Sequence, residues 1–224
     1  MNLILTSDFP SSRTEGVVAR IQACDAHARI AWIAPQASSR LLHWPRARLQ
    51  FRACGVRNLE FIDAGEPRTE QRDLVGRFDA IYLSGGNPVL YQQRLAQGGL
   101  GDQIRAFAAS GRLVIAASGG MMQLTANVSL FRLLTVPLER VLAERAWFEA
   151  LGLVDFEVLP HLNRHDQSLV DTVTRYAASI GRAVIALDDG AAIVYDGTGV
   201  PTCFGRVVRH GREGGSDWIS QQAP

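Results

Sequence analysis

Short apolar runs alternate along the chain with longer segments in which apolar positions recur at helical spacing. The short runs have the length of strands and are apolar nearly throughout, as in a parallel sheet buried on both faces. Because helical segments separate them, the pattern predicts a single α/β fold of three layers, with a mainly parallel sheet flanked by helices. The predicted strands are Leu3–Leu5, Ile30–Ile33, Leu59–Ile62, Ala80–Leu83 and Leu113–Ala116.

Three segments have the length and end signals of helices. Ser38–Cys54 is followed by a glycine, which often ends a helix in the left-handed conformation. Gln92–Ala109 contains the pair Gly98-Gly99, so we expect two helices with a joint there. Asp166–Ile180 begins with a capping residue and is also followed by a glycine, which predicts a single helix.

After residue 181 the pattern changes to strands joined by short turns of aspartate and glycine. Ala183–Leu187, Ala191–Tyr195 and Pro201–Val208 predict an antiparallel hairpin at the C-terminal end of the fold. Residues 211–224 are mostly small and polar, with Trp218 as an apolar anchor. We therefore expect one domain over residues 1–210, followed by a loosely ordered tail over residues 211–224.

The charge composition excludes several kinds of chemistry. The chain has 224 residues, a formal net charge of +1, and 23 basic residues that are all arginine. A chain without lysine has no Schiff-base lysine, no Ser-Lys dyad and no phosphate loop of the GK[ST] type. A net charge near zero without a basic block also argues against a nucleic-acid partner.

The remaining composition predicts a cytoplasmic protein with no membrane partner. No apolar run approaches the roughly 18 residues that cross a bilayer, and the N-terminus has neither the basic nor the apolar region of a signal peptide. Cys24, Cys54 and Cys203 are few and not in CxxC spacing. We expect them to be reduced and buried.

The segment after the fifth predicted strand has a pattern typical of a nucleophilic serine. Ser118 follows the strand directly, and small residues, Ala116 and Gly120, lie two positions to either side. A sharp strand-to-helix turn requires such small residues, exposes the serine Oγ, and can aim the Gly119 N–H at a developing oxyanion. The alternative is an ordinary glycine-rich turn in which Ser118 caps the helix.

A second glycine-rich segment, Ser84–Pro88, follows the fourth predicted strand. Asn87 and Pro88 form a good pair for starting a helix. Gly85 and Gly86 can form a nest of backbone N–H groups, which would supply a second oxyanion donor.

The third candidate is His161, just after the predicted strand Phe156–Leu159, where a catalytic base is expected. His161 and His165 have the i,i+4 spacing of some metal ligands, but the position of the glutamate in HExxH is leucine and no cysteine is near, so no metal is predicted. His27, His43 and His210 are expected to be structural.

Together these strand ends resemble the dipeptidase E and cyanophycinase family of serine peptidases, which has the flavodoxin-like fold of class I glutamine amidotransferases. The resemblance covers most of the chain, from the first strand to the closing hairpin. Ser84–Asn87 resembles the family's GGN oxyanion loop, and Ala117–Gly120 resembles its serine elbow. Leu159–His161 resembles its N-P-H segment, and Ala186–Gly190 resembles its acidic turn.

The resemblance implies a Ser-His-Asp triad of Ser118 as nucleophile, His161 as base and Asp189 as the group that orients the imidazole, with Asp188 as the alternative acid. It also implies a short peptide substrate, such as an Asp-X dipeptide, and neither cofactor nor metal; a homodimer is one possible assembly. Asn87 and Arg164 are the candidate substrate-binding residues, the latter because only arginine can meet a substrate carboxylate in this chain.

The chain also departs from the family pattern. Ala116 replaces the first elbow glycine, Gly119 replaces alanine, and Met121 replaces the last small residue. These departures favour a second hypothesis, a catalytically impaired member that binds a small molecule or a protein. The cysteine and glutamate of the amidotransferases are Ser118 and Asn163 here, which disfavours glutamine hydrolysis. A nucleotide-binding flavodoxin-like protein is a weaker alternative, because no GxGxxG follows the first strand.

Overall fold

The computed structural model of the chain describes residues 1–8, 27–196, 201–211 and 216–218. The features predicted at Cys24, at the turn 197–199 and over most of the 211–224 tail lie outside these residues. Within them, no helix is long and apolar enough to cross a membrane. Cys54 and Cys203 are buried free thiols, as predicted, and burial raises the pKa of both.

The strands predicted from the apolar runs are all present. In chain order, the strands of the described residues are β1 (Asn2–Thr6), β2 (Arg29–Ala34), β3 (Asn58–Asp63), β4 (Ala80–Leu83), β5 (Leu113–Ala117), β6 (Glu157–Leu159), β7 (Val184–Leu187), β8 (Ala192–Tyr195), β9 (Thr202–Phe204), β10 (Val207–His210) and β11 (Ser216–Trp218).

In the part of the chain that the structure describes, the main sheet has seven strands in the order β3-β2-β4-β5-β1-β8-β9. Its first five strands are parallel, and β8 and β9 complete it as antiparallel neighbours. Ala116 on the central strand β5 pairs with Leu83 of β4 and with Leu5 of β1. The carboxyl ends of these three strands therefore meet at one edge, where ligands bind in such sheets.

A second sheet has the order β11-β10-β7-β6, with β6 parallel to β7 and the other pairs antiparallel. The prediction that consecutive C-terminal strands pair as a hairpin is wrong for β7 and β8, because these two strands belong to different sheets. The predicted strand Pro201–Val208 is divided at Gly205, which has a φ of +73°. Ser216–Trp218 lies in the predicted tail and pairs with β10.

The helices of the described residues are α1 (Ser39–Leu42), α2 (Trp44–Ala53), α3 (Leu74–Arg77), α4 (Pro88–Gly98), α5 (Gly101–Ala109), α6 (Gly119–Gln123), α7 (Leu138–Ala143) and α8 (Gln167–Ile180). In the same ranges, short 3₁₀ helices lie at Thr69–Arg72, Ser129–Leu134, Arg145–Phe148 and Leu162–Arg164.

Most predicted helix ends agree with the structure. The joint between α4 and α5 is Gly99, in the left-handed conformation with a φ of 68°. Asp166 caps α8 by accepting the Leu169 N–H at 2.9 Å. The predicted helix Ser38–Cys54 is instead two helices that meet at His43, because Pro45 has no N–H to continue the ladder.

The two faces of the main sheet are covered by different helices. On one face, Ala47 and Phe51 of α2 pack in a cluster with Trp32 and Tyr82 of β2 and β4. On the other face, α4, α5 and α8 join the larger apolar core, which also covers the second sheet. The helix α2 thus stands beside the strand ends that carry the candidate site.

Candidate active site

Ser118 lies at the turn from β5 into α6, in a backbone conformation with φ of 49° and ψ of −121°. Its own N–H donates to the Thr6 carbonyl at 2.9 Å, which fixes the turn to the end of β1. A positive φ is costly for a residue with a side chain, so it is found where the surrounding structure enforces it. The turn has the geometry of a nucleophile elbow.

Ser118 occupies the N-cap position of α6, as the alternative interpretation predicted, but its hydroxyl does not act as a cap. Its side chain caps no backbone group of α6. Instead, Ser118 Oγ lies 2.9 Å from Nε2 of His161, within hydrogen-bond distance. This is the contact that a serine nucleophile needs with its base.

His161 is held in place by the end of the first strand. In the described part of the chain, Ser118 and His161 are the non-glycine residues with positive φ, 49° and 61°. The His161 N–H donates to Ser7 Oγ at 2.8 Å, and the same hydroxyl lies 3.4 Å from the ring Nδ1. Ser7 is fully buried directly after β1, so its own position is fixed. Its hydrogen bond with the His161 N–H therefore helps to hold the strained histidine beside the candidate nucleophile.

Asp189 completes a row of three side chains, with its Oδ1 2.6 Å from Nδ1 of His161. Its other oxygen accepts hydrogen bonds from Arg164 Nε at 2.7 Å and from Asn163 Nδ2 at 3.1 Å. The Asp189 N–H donates in turn to Asn163 Oδ1 at 2.8 Å. Both carboxylate oxygens are therefore bound.

These hydrogen bonds determine the charge state of Asp189. Partial burial acts to raise its pKa, but the hydrogen bonds from Arg164, His161 and Asn163 outweigh burial and lower the pKa to about 2. Asp189 is therefore an anion at neutral pH. An anion at Nδ1 favours the tautomer in which Nε2 can accept a proton from Ser118.

Asp188, the alternative acid, faces elsewhere. Its Oδ2 lies 3.5 Å from Arg206 Nη1, and its N–H donates to the Arg206 carbonyl. The structure thus brings Asp189, and not Asp188, to His161.

The predicted oxyanion segment lies beside the serine. Gly85 and Gly86 line the same cleft as Ser118, and a Cβ at Gly85 would come 3.4 Å from Ser118 Cβ. Gly119 follows Ser118 at the first position of α6. Asn87 caps α4, because its Oδ1 accepts the N–H groups of Val89 and Leu90. A role of Asn87 in substrate binding stays a prediction.

The sequence profile of peptidase family S51, the dipeptidase E family, matches residues 6–203. The chain belongs to peptidase family S51. An uncharacterized peptidase of Listeria monocytogenes serovar 1/2a is 33% identical over 85 residues, which are 38% of this chain and 40% of that protein. The aligned segment thus spans less than half of the relative's length.

Solved structures show the same fold. A protein described as a peptidase E, from Listeria monocytogenes EGD-e, has a TM-score of 0.69 at 21% identity, over 90% of this chain and 96% of that chain. A peptidase from an acI-B1 Actinobacterium also has a TM-score of 0.69, at 18% identity, over 98% and 94% of the two chains. The flavodoxin-like fold predicted for the chain is confirmed.

One departure of this S51 member from the family elbow, Gly119 in place of alanine, has a steric explanation. A Cβ at Gly119 would come 2.0 Å from the Gly86 carbonyl oxygen, so the alanine usual there cannot fit against this loop. A Cβ at Gly120 would lie 2.5 Å from the carbonyl oxygens of Leu83 and Ser84. Met121 is fully buried in the larger core and does not line the cleft, so its size does not obstruct the site.

Two residues that support the site were not identified as functional from the sequence. Ser7 is 154 positions from His161, so no local sequence signal relates the two residues. Asn163, at the position of the amidotransferase glutamate, holds Asp189 instead. Arg164 also contacts Asp189, so its binding of substrate stays a prediction.

The His161 and His165 pair is not arranged as on a helix. His161 is in the left-handed region, and a single 3₁₀ turn, Leu162–Arg164, separates the two residues. Among the described residues, no group of three or more histidine, cysteine or carboxylate side chains is placed to hold a metal ion.

Proposed function

We propose that this member of peptidase family S51 is a serine peptidase that hydrolyses short peptides through an acyl-enzyme. The observation that carries the proposal is the hydrogen-bonded row of Ser118, His161 and Asp189, with distances of 2.9 Å and 2.6 Å. Its order is that of a nucleophile, a base and the acid that orients the base. The family match is independent of this geometry and supports the same activity.

In the proposed reaction, Ser118 Oγ attacks the carbonyl carbon of the scissile peptide bond while His161 Nε2 takes the hydroxyl proton. Backbone N–H groups of Gly85 or Gly86 and of Gly119 stabilise the oxyanion that forms. His161 then gives its proton to the leaving amine, and the C–N bond breaks. Water, deprotonated by His161, attacks the ester and releases the acid and Ser118.

Asp189 keeps the imidazole in the reactive orientation throughout. Its anionic carboxylate stabilises the imidazolium that forms in each step, without taking the proton itself. Arg164 and Asn163 bind the second oxygen, so the carboxylate cannot rotate away from His161. These two residues are positioning residues in the proposal.

The dimensions of the cleft favour a small substrate. Its volume is about 290 Å³, close to the lower limit of typical small-molecule sites. One or two amino-acid residues fit such a space, in agreement with the dipeptide substrate implied by the family resemblance. An Asp-X dipeptide is the proposed substrate.

The test combines covalent labelling with turnover. A fluorophosphonate should add one phosphonyl group per molecule to the wild-type protein and none to Ser118→Ala. Peptide mapping should locate this group at Ser118. Hydrolysis of Asp-X dipeptides should fall by roughly 10⁴–10⁶-fold in Ser118→Ala. Ser110→Ala, an exposed serine at the end of α5, is the matched control and should retain full labelling and turnover.

The opposite result has a defined meaning. A folded wild-type protein, verified by circular dichroism, that neither reacts with the fluorophosphonate nor cleaves any dipeptide would contradict the proposal. It would support the alternative, a member of the family that binds its ligand without hydrolysing it.

A further inference from the structure

Helix α2 forms one wall of the cleft beside Ser118. His43, Arg46 and Gln50, at the start of the helix and on its next two turns, all line the cleft. Spacings of three and four residues place side chains on one face of a helix, so this face is directed at the site. Trp32 and Tyr82, from the two strands beneath α2, line the same cleft.

Arg46 brings a positive charge into this cleft. Of the described residues that line the cleft, Arg46 is the one arginine. Within the described ranges, its guanidinium takes part in no ion pair or hydrogen bond. Arg164, by contrast, already donates to Asp189. Because a guanidinium can bind both oxygens of a carboxylate at once, Arg46 is suited to an anionic group of a substrate.

The cleft also contains a negative charge. Asp8 lines it, and Asp8 Oδ1 accepts the Gly190 N–H at 2.9 Å, which places this carboxylate beside the turn of Asp189. A purely anionic ligand would be repelled by Asp8, and a purely cationic ligand would be repelled by Arg46. An N-terminal acidic residue has an α-ammonium group and a side-chain carboxylate, so it can pair with both.

We propose that Arg46 determines specificity by binding the side-chain carboxylate of a substrate's N-terminal acidic residue, whose α-ammonium group faces Asp8. The inference rests on the proposed peptidase function, because it places this residue on the acyl side of the bond that Ser118 attacks. It assigns the recognition of the substrate carboxylate to α2, rather than to the loop that contains His161 and Arg164.

The experiment compares Asp-X with Asn-X dipeptides, which have side chains of nearly the same shape but different charge. In Arg46→Gln, the ratio of kcat/KM for Asp-X over Asn-X should fall by about 10- to 100-fold, as expected for loss of a hydrogen-bonded charge pair. Arg46→Lys should recover part of the ratio. Arg48→Gln, on the same helix but outside the cleft, removes the same charge and should leave the ratio unchanged.

The role of Asp8 is tested with the same substrates. Acetylation of the substrate amine should weaken turnover by the wild-type protein, and Asp8→Asn should reduce this difference between free and acetylated Asp-X. Equal sensitivity to acetylation in both proteins would overturn the assignment of Asp8.

Binding in the Ser118→Ala background separates this inference from the proposed function. Calorimetry should show tighter binding of Asp-X than of Asn-X, and Arg46→Gln should remove the difference. An unchanged preference in Arg46→Gln overturns the role of Arg46, even if Ser118-dependent hydrolysis is intact. A protein that shows the Arg46-dependent preference without cleaving any dipeptide retains this recognition site but contradicts the peptidase function.

Discussion

Asp189 and His161 are joined by a hydrogen bond of 2.6 Å between Oδ1 and Nδ1, although 28 positions separate them in the chain. Asp189 follows β7 and His161 follows β6, and these two strands are parallel neighbours in the second sheet. The base and its acid are thus fixed to one sheet, while Ser118 is fixed to the other. The site forms where the two sheets approach each other.

Replacement of Asp189 by asparagine should reduce kcat on the order of 10³–10⁴-fold, because an amide neither favours the reactive tautomer nor stabilises the imidazolium. Asp188→Asn is the matched control, since Asp188 is adjacent but contacts Arg206. Steady-state rates with one dipeptide measure both effects. Equal losses in the two variants would contradict the assignment of Asp189.

The low pKa of Asp189 predicts how its contribution to stability depends on pH. The folded-state pKa of about 2 lies below the ordinary value of 3.8, so folding favours the charged carboxylate. This contribution is fully present above about pH 4 and is lost as the pH falls toward 2. The difference in Tm between wild type and Asp189→Asn should therefore narrow from pH 6 to pH 2. If the difference in Tm stayed constant from pH 6 to pH 2, the low pKa assigned to Asp189 would be contradicted.

The strands were predicted from the apolar pattern and the elbow from its small residues, because both depend on local sequence. Buried parallel strands need continuous apolar runs, and the turn at Ser118 needs glycine at positions 119 and 120, where a Cβ would meet backbone oxygens. The break at His43 also had a local signal, Pro45, which the helical spacing of the surrounding residues outweighed.

The partition into two sheets has no such local signal. Only four residues separate β7 from β8, yet they pair with different partners, β6 and β10 in one sheet and β1 and β9 in the other. The positions of Ser7 and Arg46 likewise depend on distant packing. Ser7 is the acceptor of the His161 N–H, and Arg46 reaches the cleft because α2 covers Trp32 and Tyr82.

The contact between Gly119 and Gly86 predicts that the elbow will not tolerate the alanine usual in the family. A Cβ at position 119 would lie 2.0 Å from the Gly86 carbonyl oxygen, so the loop that carries the proposed oxyanion donors must move. Gly119→Ala should lower the free energy of unfolding by about 1–3 kcal/mol and reduce kcat more than it changes KM.

Gly101→Ala is the control for this substitution. A Cβ there would be 3.6 Å from its nearest neighbours, Arg105 and Leu151, which is ordinary contact. Urea denaturation and steady-state kinetics on both variants provide the comparison. If Gly119→Ala were as stable and active as Gly101→Ala, the close packing of the elbow against the Gly86 loop would be disproved.

The strand that leads to His161 also contains a buried ion pair whose disruption should be strongly destabilising. Glu157 on β6 is fully buried, where its carboxylate accepts hydrogen bonds from Arg145 and from Tyr176, the latter at 2.8 Å. Burial raises the pKa of Glu157 against the opposing effect of Arg145. Arg145→Ala leaves this carboxylate without its cation, and should lower the free energy of unfolding by about 3–5 kcal/mol.

The double variant Arg145→Met/Glu157→Leu distinguishes loss of charge compensation from loss of packing. Because it removes both charges and keeps apolar volume, its free energy of unfolding should exceed that of Arg145→Ala, even though it carries more substitutions. Urea denaturation of the wild type, Arg145→Ala, Glu157→Leu and the double variant measures the coupling. Strictly additive losses would mean that the two side chains stabilise the fold independently, and would contradict the predicted coupling.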